Sequence, residues 1–163
     1  MTYRLLAVSF LMGSLCIACA GPSDGEHDGG DRLVDENPPG DGDQYEDGIS
    51  KTGEEVVVTI ESADPAPPDR GLNTWIMTAS LDGQPLDDAI ITVSPFMPEH
   101  NHGSTPADYV GIAVLDADTP RFEVGPFDLF MPGLWEVTVT VQSDSLASSN
   151  GTDEVMFVFD LEG

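Results

Sequence analysis

The sequence predicts an all-β domain, two antiparallel sheets packed as a sandwich, behind an export signal and an acidic linker. Three observations predict it. From Glu54 onward, short β-branched and aromatic runs are separated by Pro, Gly, Asp and Asn clusters. The clearest run, Trp135 to Gln142, alternates apolar and polar residues with period two, and no segment sustains a helical period. A strand with one apolar face must bury it against another layer, so this pattern requires a second sheet.

The chain opens with Arg4 ahead of an apolar run, Leu5 to Ala18, shorter than the roughly 20 residues that span a bilayer. Small residues follow at once, and 1–18 reads as a signal peptide. Cys16-Ile17-Ala18-Cys19 resembles a lipobox, in which Cys19 becomes the lipid-bearing N-terminus, although Cys16 stands where a lipobox usually carries Leu. Ala18-Cys19-Ala20 also fits the small-x-small rule for ordinary cleavage, which would release a soluble secreted chain. Cys16 and Cys19 are the only cysteines, so no disulfide can brace the domain. A single cysteine retained at a new N-terminus suits lipid attachment better than pairing.

Residues 19–53 read as a disordered acidic linker. Gly21 to Gly53 is built of Gly, Asp, Glu, Pro and Asn with almost no large apolar side chains, too few to offset chain entropy. Its like charges repel and extend it. Asp41 to Asp47 is not a calcium loop of the helix–loop–helix kind, because Tyr45 occupies a ligand position and the glycine is misplaced.

Five Lys and Arg stand against 30 Asp and Glu, a net charge of −25. That excludes nucleic acid as a partner, and an anionic membrane surface would repel the chain, so membrane association must come from the lipid. The acid load serves solubility, or the capture of a cationic partner or metal.

Residues 54–163 form one domain of about 110 residues. Val56, Val58 and Ile60 start it. Trp75, Met77, Ala79 and Leu81 alternate with Ile76, Thr78 and Ser80, and Asp82-Gly83 then supplies a hairpin turn. Further strands are expected from Ile90 to Val93, Tyr109 to Leu115, Phe122 to Leu129, Leu134 to Gln142, and Glu154 to Leu161. About seven short strands at this spacing fit an immunoglobulin-like β-sandwich without the Cys–Trp–Cys pattern of antibody domains, and barrel closure is the alternative.

No Gly-x-Ser-x-Gly elbow, cysteine nucleophile, phosphate loop or His-Glu-x-x-His helix occurs, so the domain does not read as an enzyme. His27 stands alone in the linker. Asn150-Gly151-Thr152 matches a glycosylation sequon and reads as a turn before the last strand.

The one concentration of ligand chemistry is Met97-Pro98-Glu99-His100-Asn101-His102-Gly103, with a second Met-Pro turn in Phe130-Met131-Pro132-Gly133-Leu134-Trp135. Both lie at strand ends, where two proline-stiffened loops can meet at one rim. Imidazole with thioether suits copper, Cu(I) above all, whereas zinc would take His with Cys or carboxylate. The other reading makes Met97 and Met131 apolar plugs of the core, with His100 and His102 in solvent or bonded to loop backbone.

Trp75, Asp82-Gly83-Gln84-Pro85, Ala89 to Val93, Met97 to Gly103, and Met131-Pro132-Gly133-Leu134-Trp135-Glu136-Val137 run in an order that resembles YtkA-like domains over most of Glu54 to Leu161. The resemblance implies an exported immunoglobulin-like domain similar to the periplasmic part of FixH-type proteins that accompany copper delivery. Met97, His100, His102 and Met131 are the matching positions, while the long acidic tether and the lack of a transmembrane helix depart from those proteins. Two functions follow as expectations. One is a lipid-anchored cell-envelope domain that binds copper or hands it to a receiving protein, with no small-molecule substrate. The other is a metal-free interaction or structural module.

Overall fold

The computed structural model describes residues 42–114, 119–148 and 150–163. Among them are eleven strands and no helix: β1 (Ile49–Thr52), β2 (Val56–Asp64), β3 (Gly71–Leu81), β4 (Gln84–Pro85), β5 (Ile90–Met97), β6 (His102–Gly103), β7 (Tyr109–Val110), β8 (Ile112–Ala113), β9 (Phe122–Leu129), β10 (Gly133–Gln142) and β11 (Thr152–Leu161). One sheet runs β1-β2-β3-β9-β8 with β4 on β3, and the other runs β11-β10-β5-β6 with β7 on β5. Every pairing is antiparallel. The sequence-level expectation of an all-β, two-sheet architecture is what the chain adopts.

Period-two alternation builds the core. Val56, Val58, Ile60, Trp75 and Met77 face inward from the first sheet, and Ile91, Val93, Trp135, Val137, Val139, Val141, Phe157 and Phe159 from the second. Across the layers, Trp75 meets Phe159 edge-on at 5.6 Å, and within its own sheet Phe127 at 4.8 Å. In β9 the inward residues change frame, from Phe122 and Val124 to Phe127 and Leu129. Gly125 absorbs the extra residue at φ 131°, where a Cβ would lie 2.6 Å from the Asn73 carbonyl, opposite a register shift between Asn73 and Trp75. Asp82 and Gly83 both take positive φ, 50° and 76°, and make the tight β3–β4 turn their sequence predicted.

On both sides of the sandwich a short segment crosses from one sheet to the other. Tyr109 and Val110 pair with β5, and Ile112 and Ala113 pair with β9. Gly111 makes the crossing: its N–H donates to the Ile91 carbonyl at 2.8 Å, and a Cβ would press on Val124 at 3.1 Å. The single strand expected from Tyr109 is therefore two, on different sheets.

The opposite side corrects the domain boundary, because the fold is already in place before Glu54. β1 pairs with β2 from Ile49↔Ile60 to Thr52↔Val57. Upstream, the Asp43 N–H donates to the Val158 carbonyl at 2.5 Å, and the Val158 N–H donates to Asp43 Oδ2 at 2.7 Å. Ile49 and Tyr45 pack on the core, and Lys51 bridges Asp43 at 2.8 Å while lying 5.8 Å from the Phe157 ring centre. Isolated apolar groups in a Gly- and Asp-rich stretch thus find burial in tertiary contacts. The expected signal peptide, Cys19, His27 and the linker up to Asp41 lie outside the described residues.

Candidate metal-binding rim

The β5–β6 hairpin closes one end of the sandwich through a four-residue loop. The His100 N–H donates to the Met97 carbonyl at 3.3 Å and the Asn101 N–H to the Pro98 carbonyl at 3.2 Å, with Asn101 left-handed at φ 52°, a conformation Asn tolerates. Met97 and His102 are direct cross-strand partners, so their side chains share a face. Met97 is fully buried, and His102 therefore turns inward, with its ring 6.0 Å from Trp135, while His100 sits exposed at the tip. The return arm is pinned at two points. A Cβ on Gly103 would lie 2.7 Å from the Pro95 carbonyl, and buried Ser104 donates its Oγ–H to the Asp128 carbonyl at 2.8 Å.

The β9–β10 connection supplies the second loop. Trp135 donates Nε1–H to the Met131 carbonyl at 3.0 Å, which fixes the turn, and half-buried Met131 packs against the core. Gly133 takes φ 111°, and a Cβ there would stand 2.8 Å from the Met97 methyl and 3.8 Å from Glu99 Oε2. The thioether end of Met97 and the Glu99 carboxylate thus meet over Gly133, and the two Met-Pro loops join.

The rings form a cluster at this joint. His102 lies 5.8 Å from His100 at 30°, and 5.2 Å from Phe130 at 18°; Phe130 in turn stands edge-on to Trp135 at 5.7 Å. His102 Nδ1 is buried with no hydrogen-bond partner among the described residues. Stranding such a group costs about 1–3 kcal/mol, so a lone pair or N–H is left for something else to satisfy.

All four positions singled out in the sequence, Met97, His100, His102 and Met131, fall on these two adjoining loops. Among the described residues, no three His, Cys, Asp or Glu side chains gather as a metal-binding group. His100 and His102 stack with ring centres 5.8 Å apart at 30°.

Sequence reasoning missed Phe130, Gly133 and Trp135 as members of the rim. Trp135 read as strand core, and Phe130 and Gly133 were read only as neighbours of Met131 in its turn; an aromatic directly before a Met-Pro turn was the available signal. Asn150 and Gly151 form a turn, with the Gly151 N–H donating to the Ser148 carbonyl at 2.9 Å, and Thr152 begins β11.

Comparison with family models, curated proteins and solved structures finds no match to this chain.

Proposed function

We propose that the chain is an exported lipoprotein whose immunoglobulin-like, YtkA-like domain binds Cu(I) at this rim and passes it to a receiving protein. The strand order supports the fold reading. Of the six long strands, the first, second and fourth (β2, β3, β9) make one sheet and the sixth, fifth and third (β11, β10, β5) the other, the arrangement of immunoglobulin strands A-B-E against G-F-C.

The observation that carries the copper reading is the unpartnered, buried Nδ1 of His102, held beside a second imidazole and on the same face as a thioether. In this reading His102 and His100 are the imidazole ligands, Met97 and Met131 the soft ones, and Glu99 acts from beside Met97. Two thioethers favour Cu(I) over Cu(II), and the exposed side of His100 leaves a face open for transfer. Cys19 carries the lipid.

Full burial of Met97 favours a second reading, in which these residues close the core end without metal. Competition for Cu(I) against a calibrated chelator under reducing conditions separates the two. The copper reading expects one-to-one binding that His100→Ala with His102→Ala abolishes while the variant keeps its thermal unfolding transition. Binding equal to that of the double variant would leave only the core-closing role.

A further inference from the structure

The outer face of the β1-β2-β3-β9-β8 sheet differs in charge from the rest of a chain that carries −25. Antiparallel register sets two neighbouring rows of side chains across its middle. One row holds Ser50, Thr59 and Thr78 and, one step beyond the Met77↔Phe122 pair, Arg121 and Val114, whose N–H donates to the Arg121 carbonyl at 2.8 Å. The other holds Ser62, Ile76, Glu123 and Ile112. Ile112 is 70% exposed and Val114 36%. Arg121 bridges Glu61 through Nε at 2.7 Å with its side chain 46% exposed, so part of its five-donor fork is open to a second carboxylate. Glu123 is exposed and has no cationic partner among the described residues. The outer face of the other sheet presents Glu136, Glu154 and Asp160, with no Lys or Arg on any of its strands to answer them.

We propose that two copies of this chain pair through the first of these faces, about a two-fold axis that runs between them across the strands at the level of Phe122. That axis sets β9 antiparallel to its counterpart and lays each row over the other. Arg121 then meets Glu123 of the second copy, Ile112 meets Val114, and Ile76 meets Thr78, each contact made twice, so the pattern is self-complementary as an isologous interface demands. The patch is five strands wide, about 19 Å, and runs eight residues from Val57 to Asp64, about 26 Å. Two copies hide about 1,000 Å² in all, the lower end for a specific interface, which makes a weak dimer with a Kd on the order of 0.1 mM. The reversed strand direction sends the two His/Met rims to opposite ends of the pair, where both stay open. The pairing therefore does not rest on the copper reading.

The test is sedimentation equilibrium, without metal and at about 0.15 M salt, of the chain from residue 19 onward with Cys19→Ser, so that no lipid is attached. This parent should pass from monomer to dimer around 0.1 mM, to order of magnitude. Arg121→Glu and Glu123→Arg, each made in it, should self-associate at least about tenfold more weakly, because each sets like charges against each other across the axis. An equimolar mixture of the two restores both ion pairs and should pair at least as tightly as the parent. Thermal unfolding checks that each variant is folded. Ile112→Asp, at a side chain already 70% exposed, should weaken pairing by a similar factor and leave the fold intact. A parent still monomeric at about 1 mM overturns the proposal, whether the face is bare or covered by a segment of the same chain. So does a mixture no tighter than either variant alone, or an Ile112→Asp chain that pairs as well as the parent, since association then runs through another surface.

Discussion

Asp153 ties the start of β2 to β11, and its removal has a size that can be worked out. Its carboxylate accepts the N–H groups of Glu54 at 3.0 Å, Glu55 at 2.7 Å, Val56 at 2.8 Å and Glu154 at 2.8 Å, and the residue is 7% exposed. Hydrogen bonds to a charged acceptor are worth about 1.5–3 kcal/mol each. In Asp153→Ala, the Glu54 and Glu55 N–H groups turn to water at the exposed bend, whereas that of fully buried Val56 is stranded. The net loss is about 3 kcal/mol, or about 10 °C in Tm for a domain of this size. Burial alone would raise the Asp153 carboxyl, but the N–H groups of Glu55, Val56, Glu54 and Glu154 outweigh it and hold it below the usual carboxylate value. A group whose folded pKa is depressed contributes stability above its unfolded pKa, about 4, and loses it as pH falls through the folded value. The gap between wild type and Asp153→Ala is therefore full at neutral pH and narrows in acid. Thermal unfolding followed by the fluorescence of buried Trp75 and Trp135 reads it. A shift under about 3 °C at neutral pH, or a gap that stays constant into strong acid, would refute the reasoning.

Gly133→Ala puts an L side chain at φ 111° and a Cβ 2.8 Å from the Met97 methyl. Backbone strain of about 1–3 kcal/mol should lower the Tm of the apo protein, and displacement of the thioether should weaken Cu(I) binding at least about tenfold, read by chelator competition. Lys51→Met removes the partner of Asp43 and the cation beside Phe157. About 1 kcal/mol is at stake, and hydrogen exchange should quicken at β1 amides while those of β10 stay protected.

What the sequence made legible follows from which residues obey a single local rule. Trp135 to Gln142 alternates cleanly because β10 is central in its sheet, with one wet face and one buried one, and Asp82-Gly83 reads as a turn because few other pairs take two positive φ angles. β1 was hidden: Ile49-Ser50-Lys51-Thr52 is four residues between Gly48 and Gly53, with a single aliphatic side chain, and its pairing depends on β2. Tyr109 to Ala113 also carries too few residues to reveal that Gly111 moves the chain between sheets. At the rim, sequence order brought Met97, His100, His102 and Met131 to notice, since their chemistry is visible in one-letter form. The roles of Phe130 and Gly133 were not, because they arise only when the two loops meet over the end of the core.

Copper K-edge X-ray absorption of the mature chain loaded with one equivalent of Cu(I) tests the central claim most directly. It should show a mixed shell, nitrogen near about 2.0 Å and sulfur near about 2.3 Å, with sulfur scattering lost in Met97→Leu with Met131→Leu. A shell of light atoms alone, or copper that stays with the buffer, would contradict a His/Met site at this rim.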